Sequence, residues 1–230
     1  MKSLFSLPAL SLFVLLLLPL GAAGAQESDD AQDVPSLSVP EEVAPAEAED
    51  SLEAVEGYLN EIDSLQGRFV QTTSRGGRSE GDFALRRPGR IRFDYDAPEP
   101  TLLVADGMNF VIYDRELEQA TMVPLSRTPL WLLLREDIDL EDGLDILNVQ
   151  QDEDYLSILL RQSDSPEEGT IELVFQQEPL ELVLWEVVDT QGVRTQVALH
   201  ELDYETRPNP SVFNVQNLPG IRAPGFDRTN

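Results

Sequence analysis

Phe83-Ala84-Leu85-Arg86-Arg87-Pro88-Gly89-Arg90-Ile91-Arg92-Phe93-Asp94-Tyr95 is the stretch that decides the fold. On either side of Pro88-Gly89, apolar and polar residues alternate with period two, which marks two strands joined by a tight turn. An odd loop, Pro88-Gly89-Arg90, puts Phe83, Leu85, Ile91, Phe93 and Tyr95 on one face. A two-residue loop would instead set Arg92 and Asp94 among Phe83 and Leu85, a poor core. The odd loop leaves Arg87 on the apolar face as well. A guanidinium there needs acceptors, because leaving it unpaired costs on the order of several kcal/mol. Backbone carbonyls of a covering segment would serve, and so would a buried carboxylate.

Period two continues away from this hairpin. Eleven strands are expected, over 68–74, 80–87, 91–96, 101–105, 109–114, 117–122, 145–150, 154–161, 169–176, 180–188 and 193–201. Turn signals such as Gly76-Gly77, Asp106-Gly107 and Gln191-Gly192 separate them. Short strands with tight links make an α+β chain dominated by an antiparallel meander, closed or half-closed into a barrel. Before the strands, Leu52, Val55, Leu59, Ile62 and Leu65 fall at helical spacing, so an amphipathic helix is expected from Ser51 to near Gly67. A second helix is expected at Arg127-Thr-Pro-Leu-Trp-Leu-Leu-Leu-Arg135, with Thr128 as N-cap and Pro129 at the first helical position. It is apolar all round, so it either plugs one end of the barrel or acts as a lid over an apolar cavity. Residues 138–143 add a possible further helical turn.

The first 25 residues read as a secretory signal peptide: Lys2, an apolar run from Leu4 to Leu20, then small residues ending in Ala23-Gly24-Ala25. Cleavage and export as a soluble protein are expected from that reading. Residues 26–50 hold nine acids and no base, and are expected to be a disordered acidic leader. Calcium binding at Asp29, Asp30 and Asp33 has no supporting loop spacing. The domain proper is then 51–230.

The net charge of −27 argues against nucleic acid as a partner. Cysteine is absent, which excludes disulfides, thiol nucleophiles and cysteine-ligated metal. His200 is the only histidine, and it lies at a strand end beside Glu201, where a surface role is expected rather than a general base. No G-x-S-x-G elbow occurs and no carboxylate pair stands out. Neither catalytic residues nor a metal or cofactor are expected. After Lys2 every basic residue is arginine, and seven crowd into 68–92 (Arg68, Arg75, Arg78, Arg86, Arg87, Arg90, Arg92). Cross-strand pairing with acids is expected for most of them.

Taken in order, several stretches resemble the periplasmic outer-membrane lipoprotein carrier (LolA) family. They are Gly67-Arg-Phe69-Val-Gln71, Gly81-Asp-Phe-Ala-Leu-Arg-Arg87-Pro88, Ile91-Arg-Phe93, Pro98-Glu-Pro100, Leu103-Val-Ala-Asp106-Gly107, Tyr113-Asp114, Leu117-Glu-Gln119-Ala-Thr121, Thr128-Pro129-Leu130 and Phe213-Asn-Val. The acidic leader departs from the family pattern, as does the lack of a tryptophan near Phe93. The resemblance implies an incomplete barrel of eleven antiparallel strands with a helical lid over an apolar cavity. It implies that Phe83, Leu85, Ile91, Phe93 and Tyr95 receive acyl chains of triacylated lipoproteins. Leu130, Trp131, Leu133 and Leu134 would fill the cavity when it is empty, and Arg87 would latch the lid through its backbone carbonyls. The implied partners are an inner-membrane ABC-type lipoprotein release complex and an outer-membrane acceptor, with the carrier a monomer and the periplasm its compartment. A lipid or lipoprotein sensor on the same half-barrel is the alternative.

Overall fold

The computed structural model describes residues 41–42, 45–216 and 218. Expectations for the signal peptide and for residues 26–40 lie outside these residues. Two antiparallel meanders form one continuous sheet. The first runs through β2 (Ser64–Thr73), β3 (Arg78–Arg86), β4 (Arg90–Tyr95), β5 (Thr101–Asp106), β6 (Asn109–Asp114) and β7 (Gln119–Pro124). The second runs through β8 (Leu144–Gln151), β9 (Tyr155–Gln162), β10 (Thr170–Gln177), β11 (Leu180–Val188) and β12 (Arg194–Asp203). These eleven strands match the expected number. A two-residue β1, Glu41–Glu42, adds to the edge by pairing with Gln151 and Gln150. The last strand returns beside the first, with Ala198 opposite Val70. The edges β7 and β1–β8 do not pair with each other, so the barrel stays open along one seam.

Alternation places the core. On β4, Ile91, Phe93 and Tyr95 are buried while Arg90, Arg92 and Asp94 are not. Across the turn Phe83 pairs with Phe93 and Leu85 with Ile91. The loop is Arg87-Pro88-Gly89, one position earlier than expected, but it is still odd, so the shared face is preserved. On β5 the four central residues are buried on both faces. Leu103 and Ala105 join the main core, while Leu102 and Val104 are covered from outside by Phe213 and Val215. Arg92 Nη1 holds that C-terminal cover by donating to Val212 O at 3.1 Å.

Helix α1 spans Pro45–Glu61, so it starts inside the expected leader and stops before Leu65, which belongs to β2. The Ala- and Glu-rich run 45–50 is good helix-forming sequence, which accounts for the earlier start. It stops where Asp63 O accepts the Arg87 backbone N–H at 2.9 Å, drawing the chain into the sheet. Gly67 therefore has another purpose than ending a helix. A Cβ there would lie 2.8 and 2.9 Å from the carbonyl oxygens of His200 and Glu201. These sit at the β12 bulge, where Glu201 turns to a φ of 55°.

Helix α2 is short, Leu130–Leu134. Thr128 does not cap it; its hydroxyl donates back to Leu125 O at 2.8 Å. Residues 138–143 form no helix. Their backbone is held by α1 instead, with Asn60 bonding both N–H and C=O of Ile138 at 2.8 Å each. Glu56 accepts from Leu140 N–H at 2.7 Å. Removing the amide in Asn60→Ala is expected to cost about 1–3 kcal/mol, because both Ile138 groups lose their partner. Urea denaturation checks this. A variant as stable as the parent would mean that apolar contacts of Ile138 and Leu140 hold the segment by themselves.

Candidate functional site

Arg87 sits where two helices meet the hairpin. Its Nε donates to Leu133 O of α2 at 3.0 Å, and its Nη1 donates to Leu59 O of α1. Next to it Gly89 N–H donates to Leu134 O at 2.8 Å. Of the two acceptors open to Arg87 on sequence grounds, backbone carbonyls are the ones used. Burial pushes the guanidinium down to about 10, opposed by the nearby Asp63 and Tyr58, so it stays a cation at neutral pH. A cation held by carbonyl dipoles and not by a carboxylate can let go without stranding a buried counter-charge.

Below α2, Leu132, Leu133 and Leu134 are buried in the same apolar cluster as Phe83, Leu85 and Ile91. Leu130 and Trp131 are half-buried against it. From the opposite wall Trp185 of β11 comes within 6.1 Å of the Phe93 ring, which also contacts Phe69 and Phe83. A tryptophan thus reaches Phe93 across the barrel and not from its own strand.

Beyond this packed end lies a cavity of about 460 Å³. One wall is Phe93, Tyr95, Leu103, Phe110, Ile112, Met122 and Val123 from β4–β7. The facing wall is Trp185, Val187, Val193 and Val197 from the β11–β12 side, and Thr128, Pro129 and Leu130 roof it. Arg127, Glu167, Glu168 and Asp189 stand at its rim. With α2 in place the volume suits one small apolar ligand, and a larger one needs the helix displaced.

The family model described as "Outer membrane lipoprotein carrier protein LolA" matches residues 60–216. The chain belongs to the LolA family. It is 31% identical over 182 residues to an outer-membrane lipoprotein carrier protein of Alkalilimnicola ehrlichii, covering 71% of this chain and 78% of that one. To a Legionella pneumophila protein of the same name it is 30% identical over 181 residues, covering 74% and 88%. A solved LolA-superfamily structure from Nitrosomonas europaea aligns with a TM-score of 0.43 at 10% identity, covering 71% of this chain and 97% of that one.

Among the residues named from the sequence of this LolA-family chain, Phe93, Tyr95 and Leu130 line the cavity. Phe83, Leu85, Ile91, Leu133 and Leu134 lie in the packed end under the helices, with Trp131 at its margin. The walls from β6, β7, β11 and β12, and the polar Gln71 of β2, were not anticipated. Pairing of the arginine cluster is sparser than expected. Arg68 bridges Asp82 and Asp96, and Arg92 bridges Asp94. No ion pair forms at Arg75, Arg78, Arg86 or Arg90 among the described residues. His200 is exposed, 3.9 Å from Glu201.

Proposed function

We propose that this chain takes up the acyl chains of triacylated lipoproteins in the periplasm and carries them to the outer membrane, acting as a chaperone and not as an enzyme. The observation that carries the proposal is the roof. A short apolar helix fills one end of an apolar barrel and is bonded there by Arg87 through backbone carbonyls.

Magnitudes make this a workable exchange. Three ~16-carbon chains expose about 45 methylenes, at ~0.8 kcal/mol each, or roughly 36 kcal/mol against water. Lifting Leu132, Leu133 and Leu134 out of the core costs about 5–9 kcal/mol at ~1.5–3 kcal/mol per side chain. Breaking the two Arg87 bonds adds about 3–6 kcal/mol net of solvent. Cargo therefore opens the closed state easily, and closure returns part of that free energy on release. An energised inner-membrane release complex supplies the cargo, and an outer-membrane acceptor with greater affinity receives it.

The test uses lipid-free mature protein and a fluorescent acyl probe. Displacement by a triacylated lipopeptide at much lower concentration than by free fatty acid is the expected result. Displacement by fatty acid alone would make the chain a general lipid binder, and displacement by neither would remove the carrier function.

A further inference from the structure

Charged groups around the cavity stand at its rim, but Gln71 lies within. It shares the inward face of β2 with Phe69, lines the cavity and is only 8% exposed. Tyr95 donates its hydroxyl hydrogen to Gln71 Oε1 at 2.7 Å. Burial holds that phenol well above its ordinary range, with Glu99 adding to the shift, so Tyr95 stays a neutral donor. The bond engages the amide's oxygen and leaves Nε2 without a partner among the described residues. No fully buried side-chain nitrogen or oxygen among those residues lacks a partner. Nε2 therefore has open space before it, and for so enclosed a residue that space is the cavity.

An unpaired amide donor in an apolar chamber is unfavourable when bare hydrocarbon expels the water in front of it. A ligand with a carbonyl oxygen at that point removes the penalty, and a site built this way rejects an analogue that lacks the acceptor. We propose that Gln71 is a specificity residue of the cavity, donating its amide N–H to an acyl ester carbonyl. The inference rests on the acyl-carrier function and adds to it the place where the head of a chain is held.

The test compares a triacylated lipopeptide with an analogue whose two glycerol esters are replaced by ethers, using displacement of the acyl probe. A diacyl phospholipid and its diether counterpart form a second pair of arms. Wild-type protein is compared with Gln71→Met, and with Gln71→Met/Tyr95→Phe, which avoids stranding the Tyr95 hydroxyl if the single variant folds poorly. Wild type is expected to prefer the ester lipopeptide by about tenfold. Both variants are expected to lose the preference, with the ether analogue binding more tightly than it does to wild type, because it no longer leaves an amide donor unpaired. A preference that persists in the variants, or is absent from wild type, overturns the role of Gln71 alone. Wild-type protein that binds neither lipopeptide overturns the carrier function with it. An ester preference for the phospholipid only would assign the carbonyl to a membrane lipid and overturn its lipoprotein source.

Discussion

Arg87→Leu is expected to load normally and to release poorly. The substitution removes the bonds to Leu133 O and Leu59 O, and with them the only side chain that ties α1 and α2 to the hairpin turn among the described residues. Hydrogen bonds from a charged donor are worth ~1.5–3 kcal/mol each, net of solvent. Leucine offsets about half of the two by relieving the burial of a cation held at a lowered pKa of about 10. A net loss of about 1.5–3 kcal/mol from the closed state strengthens cargo binding about ten- to hundredfold. Transfer of a triacylated lipopeptide to an acceptor should slow by a similar factor. The unfolding free energy of the lipid-free protein should fall by the same amount, because the closed state is its folded state. Arg87→Lys should fall between the two, since an ammonium cannot span both carbonyls as the planar guanidinium does. Transfer at the parental rate in Arg87→Leu would mean that closure does not depend on this side chain.

Ile112→Glu is expected to abolish acyl binding while leaving the fold intact. Ile112 is half-buried on β6 and faces the cavity, so a carboxylate there stays hydrated while the cavity is empty. Entry of an acyl chain strips that water, at a cost of several kcal/mol, which corresponds to a loss of at least about hundredfold in affinity. Ile112→Leu is the control and should bind as the parent does. The same charge at Ile91 would test folding instead, because that side chain is 1% exposed beneath the helices. Parental affinity in Ile112→Glu, measured by probe displacement, would remove the β4–β7 wall from the site.

Most of the sheet was legible in the sequence because one face of each strand is buried, and alternation then declares both strand and register. The Phe83–Tyr95 hairpin kept its face even though its loop lies one residue away from the expected place. Helix limits were less legible. Gly67 looked like a terminator, but its reason is the approach of the β12 bulge, contributed by residues more than 130 positions later. Acidic composition hid the helix-forming run at 45–50, because a stretch rich in acids reads as solvated chain although alanine and glutamate also favour helix. The cavity suffered most. Trp185, Val193 and Val197 meet Phe93 and Tyr95 only because β12 closes on β2, and no local pattern announces that pairing. Gln71 could have been found. It is a polar residue on an apolar face, the same signal that singled out Arg87.

In the carrier mechanism α2 and the acyl chains compete for one space inside the barrel. Hydrogen exchange with and without bound triacylated lipopeptide, read at the amides of Gly89 and residues 131–134, distinguishes competition from side-by-side binding. In the closed state the Gly89 N–H is bonded to Leu134 O, so it reports the position of α2. Loading is expected to accelerate exchange at Gly89 and along α2, while Ile138, held by Asn60, keeps its protection. Unchanged or slower exchange at Gly89 in the loaded protein would show that cargo binds with α2 in place, and the competition account would be wrong.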